Sequence, residues 1–264
     1  TESELKSLEE ELAAYVLESL NAALDEPKPV YDERIELTDV YAPVTAEPSH
    51  EVPPVSDRKM RLIDAIKEGL EQAMERHENL VLMGQDIAEY GGVFKATDGF
   101  ANRFGLQRVR NTPLCESAIV GAGVGLSVEG FKAMVEMQFS DFVTEAMTQI
   151  CNQAAKLHYR WGQRADLVIR MPTGAGVVAG PFHSQSTEAW FARVPGLKVV
   201  YPSNPAQAKG LLLRAFEDPN PVLFFEHKNL YRSLEGEVAP EYYSIPLDKA
   251  VVIQPGNDLT VIAY

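Results

Sequence analysis

The sequence predicts an α/β fold, a mainly parallel sheet with helices on both faces. Two observations carry this. Between Met60 and His227 the short stretches "NLVLMGQD", "FKAMVEMQF", "ADLVIRMP", "GLKVVYPS" and "PVLFFEH" are mostly continuous apolar runs rather than alternating ones, as expected of strands covered on both sides. Helical patterns separate them, the arrangement that builds parallel sheets through crossover connections.

Taken in order, the chain opens with an amphipathic helix. Leu5, Leu8, Leu12, Val16, Leu20 and Leu24 form a stripe at helical spacing, and Thr1 with Glu4 is placed as a capping box. Pro27 and Pro29 end it, and "YAPVTAEPSHEVPPVSD", with four prolines and no periodicity, reads as an extended linker. The main domain begins near Met60. "RLIDAIKEGLEQAMERH" reads as a helix and "NLVLMGQD" as a strand running into the Gly-rich "EYGGVF". "NTPLCESAIVGAGVGLSVEG" is a turn and a small-residue helix, followed by the strand "FKAMVEMQF". "DFVTEAMTQICNQAAKLHYRW" is expected as one long helix, leading to the strand "ADLVIRMP". "GLKVVYPS" and "PVLFFEH" bracket a helix that Asn204 caps and Pro205 opens. "DLTVIAY" reads as a last strand.

Composition sets the function classes aside. At 264 residues and 45% hydrophobic, the chain can bury a full core. No apolar run approaches the roughly 20 residues of a membrane span, and no basic segment followed by an apolar one marks an export signal. Cys115 and Cys151 have neither disulfide-framework nor metal-site spacing, so a cytoplasmic protein is expected. The net charge is −14, of which −10 lies in residues 1–59, where 15 acidic residues face 5 basic ones. Such a chain lacks the basic surface that nucleic acid requires.

Among motifs, "GAGVGLSVEG" fails the dinucleotide-binding test, because Leu126 or Val128 stands where the last glycine of G-x-G-x-x-G is needed. Close packing of a helix is the plainer reading. Glu116 opens that helix. A glutamate there commonly serves the helix dipole, but Leu114, Ile119, Val120, Gly121 and Ala122 would strip water from the carboxylate, the setting of a proton-transfer group. His183 lies in "MPTGAGVVAGPFHSQSTEAW", a Gly- and hydroxyl-rich loop after a strand, where α/β proteins place ligands. His50, His77, His158 and His227 form no metal-ligand spacing. No G-x-S-x-G elbow supports a hydrolase.

From about Met60 onward the chain resembles the β subunit of the thiamine diphosphate-dependent E1 component of 2-oxo acid dehydrogenase complexes. The stretches that carry the resemblance are "LVLMGQDIAEYGGVFKATDGF", "NTPLCESAIVGAGVGLSVEG", "MQFSDF", "GPFHSQSTEAWF", "PGLKVVYPSNPAQAKGLL" and "EDPNPVLFFEH". The resemblance implies a transketolase-like pyrimidine-domain fold. It assigns Glu116 to hydrogen bonding with N1′ of the cofactor's aminopyrimidine, and Leu114, Gln138 and Phe142 to the pyrimidine pocket. Phe142 stands where many relatives have Tyr, so it offers a stacking face without a hydroxyl. His183 matches a histidine beside the substrate carboxylate that aids acyl transfer to the lipoyl group. Leu167, Ala215, Asp218 and Asn220 resemble a structural potassium site made largely of backbone carbonyls.

The resemblance also implies an organisation. Residues 1–41 look like the end of an E1 α subunit, 42–59 form the Pro-rich linker, 60–255 the pyrimidine-binding domain, and 256–264 the first strand of a C-terminal domain. The α-type "GDG" motif that binds magnesium and diphosphate is not in the sequence, so magnesium is expected through an α-type partner domain. Lipoyl-E2 and a dimeric or α2β2-like assembly are the other implied partners. "HSQSTEAWF" and "LHYRWGQ" look closer to the branched-chain, 2-oxoisovalerate type, with pyruvate the alternative. A transketolase-like enzyme and a non-catalytic assembly subunit are the remaining readings.

Overall fold

The computed structural model describes residues 1–264, which divide into two compact units, Thr1–Thr38 and Asp39–Tyr264. In the first, α1 (Glu2–Asp25) carries the Thr1/Glu4 capping box, and its leucine stripe stays exposed; no residue of α1 is buried. The short α2 (Glu33–Thr38) follows.

The second unit is built on strands β1 (Lys59–Arg61), β2 (Leu80–Gly84), β3 (Val109–Asn111), β4 (Lys132–Glu136), β5 (Leu167–Thr173), β6 (Lys198–Val200), β7 (Val222–His227) and β8 (Glu235–Glu237). Its helices are α3 (Leu62–Arg76), α4 (Phe100–Phe104), α5 (Glu116–Val128), α6 (Leu157–Trp161), α7 (Glu188–Phe191), α8 (Pro205–Glu217) and α9 (Leu230–Ser233). Six strands form a wholly parallel sheet in the order β3-β2-β4-β5-β7-β6, and β1 pairs antiparallel with β8 outside it.

Because successive strand residues point to opposite faces, each strand supplies two cores. From β2, Leu80 and Leu82 join Leu62, Ile66 and Leu70 of α3 and Leu212 and Phe216 of α8. Val81 and Met83 go the other way, to Ile119 and Val120 of α5 and to Val143 and Ile150. Glycine is required at 123. A Cβ there would meet Leu167 Cδ1 at 2.8 Å and Val135 Cγ1 at 3.0 Å, so the small-residue helix does pack closely on β4 and β5.

Three expectations are modified. The long helix expected from Asp141 to Trp161 is a composite: 3₁₀ over Ser140–Ala146, π over Thr148–Gln153, 3₁₀ over Ala154–Lys156, then α6. The apolar pattern turns Val143, Ala146, Ile150, Ala154 and Ala155 inward, but it does not dictate which carbonyl each amide chooses. "DLTVIAY" forms no strand; it is exposed and pairs with no neighbour in this chain, and a strand needs one. The Pro-rich stretch is extended but docked. Asn220 takes the Ala42 amide on Oδ1 (2.7 Å) and donates Nδ2 to the Ala42 carbonyl (3.0 Å), Arg214 donates to the Ala46 carbonyl, and Ser49 bonds Ser244. No helix is long and apolar enough to cross a membrane.

Candidate functional site

In an open parallel sheet, ligands settle beyond the carboxyl ends of the strands, where neighbouring connections depart in opposite directions. Here that point lies between β2 and β4, since the chain leaves β2 for β3 on one side and leaves β4 for β5 on the other. The segments that emerge there are Gln85–Asp86 after β2 and Met137–Phe142 after β4.

Glu116 reaches the same place as the first residue of α5. It is 7% exposed, its carboxyl close to the helix N-terminus that favours negative charge. Gln85, also buried, donates Nε2 to Glu116 Oε1 at 3.2 Å. Leu114, Glu116 and Phe142 line one cavity of about 380 Å³ together with Cys115, Ser117 and Glu145. Leu114 is 80% exposed at its mouth. Gln138 does not line this cavity. Its Nε2 lies 3.5 Å from Asp86 Oδ2, which ties the loop after β4 to the loop after β2 next to Gln85.

His183 ends a 3₁₀ turn, Pro181–His183, in the loop after β5. Its ring meets Phe139 edge-on at 4.8 Å and Phe142 at 5.4 Å, which brings it against the Phe142 wall of the cavity. Its Nδ1 is buried and has no hydrogen-bond partner. Two side chains tie the loops together. Ser140 Oγ donates to Thr173 Oγ1 at 2.8 Å, and Asp141 Oδ1 accepts the Gln185 amide at 2.9 Å. The loop turns at Gly174, with φ +76° and a Cβ position only 2.7 Å from His227 Nε2, so a side chain there would be strained and crowded.

Beneath these loops lies a charge cluster. Arg170 of β5 makes a two-pronged contact with Glu226 of β7, 2.7 Å at each prong, and bonds Glu136 of β4, while Tyr231 donates to Glu226. All four residues are buried. Burial pushes the Glu136 carboxyl above its usual range, only partly offset by Arg170. Burial works against the Arg170 charge too, yet Glu226 and Glu136 prevail and hold it more firmly protonated. Two carboxyl groups around one guanidinium join three adjacent strands, β4, β5 and β7, of the parallel sheet.

The chain matches the family model described as "Transketolase, pyrimidine binding domain" over residues 58–233. It belongs to that family. The pyrimidine-binding domain is 48% identical over 209 residues to the 2-oxoisovalerate dehydrogenase subunit beta of Bacillus subtilis (strain 168), covering 78% of this chain and 63% of that one. It is 47% identical over 212 residues to the mitochondrial 2-oxoisovalerate dehydrogenase subunit beta 2 of Arabidopsis thaliana, covering 79% and 59%. A pyruvate dehydrogenase E1 component subunit beta from Mycoplasma genitalium is 44% identical over 204 residues, covering 76% and 63%. The chain thus spans about three fifths of these relatives' length. A solved split gene transketolase, an inactive beta4 tetramer, has the same fold with a TM-score of 0.52 at 21% identity, covering 70% of this chain and 54% of that one.

Leu167, Ala215, Asp218 and Asn220, all buried, lie at the opposite, amino-terminal end of the strands, where the end of α8 meets the start of β5. Their side-chain oxygens are already engaged. Asp218 accepts from Asn220 through Oδ1 and from Lys198 through Oδ2, and Asn220 Oδ1 holds the Ala42 amide. A cation there would compete with these hydrogen bonds and with the Lys198 ammonium for the Asp218 oxygens.

Sequence reasoning passed over Gln85, Phe139, Asp141 and the Arg170 cluster. A signal existed for the last: Glu136, Arg170 and Glu226 are charged residues inside otherwise apolar strands, where a charge must be paired. Nothing local marks Gln85 or Phe139, whose roles arise from neighbours distant in sequence.

Proposed function

We propose that this chain supplies the pyrimidine half of a thiamine diphosphate site in an E1 2-oxo acid dehydrogenase, which decarboxylates a 2-oxo acid and passes the acyl group to lipoyl-E2. One observation carries the reading. A buried carboxylate, Glu116, held by Gln85, opens onto a cavity walled by the phenyl ring of Phe142. That donor set fits an aminopyrimidine: one ring face to stack and one carboxyl to share a proton with a weakly basic ring nitrogen.

When bound, thiamine diphosphate supplies the carbon nucleophile and the electron sink that decarboxylation of a 2-oxo acid requires. Glu116 holds a proton at the pyrimidine N1′ position, and its burial keeps water from competing for it. Gln85 fixes the carboxyl's orientation. Leu114 and Phe142 exclude solvent from the ring's edge and face, and Gln138 braces the loop that carries Phe142. His183 stands against the Phe142 wall and gives a proton at the acyl-transfer step.

The diphosphate and magnesium half comes from an α-type partner domain, which would carry the GDG-type motif of the resemblance. Ala118, Ala122 and Gly125 leave the outer face of α5 exposed and small, which suits close approach of a neighbouring domain in a dimeric or α2β2-like assembly. Potassium, where present, is bound by main-chain carbonyls near Asp218. Residues 1–41 serve as the end of an α-type segment joined to the domain by residues 42–59, and 256–264 as the start of a further domain. The protein works in the cytoplasm.

The substrate is 2-oxoisovalerate, in keeping with the 47–48% identity to two subunits of that name. Pyruvate is the second reading, favoured by the 44% identical pyruvate dehydrogenase subunit. Measuring kcat/KM of the parent enzyme for both acids decides between them. A preference of at least about tenfold for 2-oxoisovalerate, the discrimination a few methylenes provide, supports the first. A preference for pyruvate replaces it, and turnover of neither removes the E1 reading.

A further inference from the structure

Lys228 follows β7 directly, and no step above uses it. It is 5% exposed, and its Nζ is fully covered without a hydrogen-bond partner. Leaving a buried ammonium without a hydrogen-bond partner is costly, and an aromatic face beside it offsets part of that cost. Burial draws its pKa below the usual lysine range, with Asp141 pulling the other way but forming no ion pair with it.

What the ammonium touches is a ring. Lys228 Nζ lies 5.2 Å from the centre of Phe139, within the range where a cation is attracted to an aromatic face. Phe139 is the hub of the aromatic cluster. Its ring meets Phe94 at 5.7 Å, Phe142 at 6.1 Å and His183 at 4.8 Å, all close to edge-on. His183 Nδ1 has no hydrogen bond to orient the imidazole, so ring contacts with Phe139 and Phe142 set its position. The backbone adds one link, since the Lys228 amide donates to the carbonyl of Thr173, whose hydroxyl receives the Ser140 bond at the head of the Phe139–Phe142 segment.

We propose that Lys228 is a positioning residue whose charge, rather than its bulk, holds Phe139 and through it the His183 imidazole in place for acyl transfer. The proposal rests on the E1 reading for its catalytic consequence, while the positional claim stands on the ring geometry alone. A neutral side chain of similar length fills the same space and loses the attraction; arginine keeps it.

The test compares Lys228→Met and Lys228→Arg in the parent enzyme with its partners, following acyl transfer to the lipoyl group, the KM for the 2-oxo acid and thermal unfolding. The expected result is an about tenfold or greater loss of kcat in K228M with KM within about twofold, and K228R within about threefold of the parent. Parent-like turnover by K228M overturns the proposal, and so does equal impairment of K228M and K228R. Phe139→Leu provides a second arm if K228M does not fold. In that background Lys228→Gln should cost kcat nothing further, because the ring its charge acts on is gone, and a further loss contradicts the route through the ring. Should the parent enzyme turn over no 2-oxo acid, the E1 reading fails while the positional claim is still decided by the His183 ring-proton resonances of the 264-residue chain. K228M must shift them and K228R must not; the reverse overturns it.

Discussion

On the proposed function the chemistry of the site concentrates on Glu116, whose geometry depends on a residue with no chemistry of its own. Gln85 gives the one hydrogen bond that orients the buried carboxyl. Gln85→Leu should therefore lower kcat for decarboxylation by about tenfold, with little change in unfolding temperature, as loss of one orienting bond in a closed site costs about 1.4 kcal/mol. Rates equal to the parent's would show that the helix terminus alone positions Glu116. His183→Ala should impair acyl transfer at least as much as decarboxylation, checked by running the two half-reactions separately; a loss of folding alone would return His183 to an ordinary loop residue. Glu116 and His183 could be singled out from sequence because each is a chemically capable residue in an incongruous setting, one in an apolar run and the other in a glycine-rich loop. Gln85, Phe139 and Lys228 have ordinary local contexts, and only the fold brings them to those two.

At the scale of elements, five of the six parallel strands were legible because strands buried on both faces leave apolar runs, whereas the three-residue edge strand β3, with only Val109 buried, leaves none; the caps of α1 and α8 were legible because their side-chain oxygens stand at the required spacing. The composite segment from Ser140 to Trp161 was not legible as such. Its α, 3₁₀ and π turns are each only three to seven residues long, too short for their different periods to register in the apolar pattern. Nor were the small strands β1 and β8, whose three-residue pairing depends on chain segments far apart in sequence. For α5, the reading of close packing leads to a sharp expectation. Gly123→Val forces side-chain atoms into Leu167 and Val135, which should cost about 1–3 kcal/mol in denaturant unfolding, whereas Gly125→Ala, with open space around it, should not destabilise. Equal effects at the two positions would contradict the packing of α5 on β4 and β5.

For the molecule as a whole, one pH-dependent contribution to stability comes from His77. Burial, aided by Lys132 and Arg76, lowers its pKa from 6.5 to about 4 in the fold, so the folded form keeps the ring neutral. The unfolded chain binds the proton first as pH falls. Its contribution is therefore complete above about pH 6.5 and is lost progressively toward pH 4, on the order of 1–2 kcal/mol after screening at a half-buried group. Urea unfolding of His77→Gln across that range should show a correspondingly weaker pH dependence; an unchanged slope would assign acid sensitivity elsewhere. On the proposed function, this chain holds the pyrimidine half of a cofactor site and a partner holds the other half. The most direct measurement is carbon dioxide release from 2-oxoisovalerate, with thiamine diphosphate and magnesium, by the parent enzyme and its Glu116→Gln variant. Robust release by the parent, with a loss of about a hundredfold or more in a variant that folds and assembles normally, is the expected result for a proton relay through this carboxyl. Near-parental release by Glu116→Gln would contradict it.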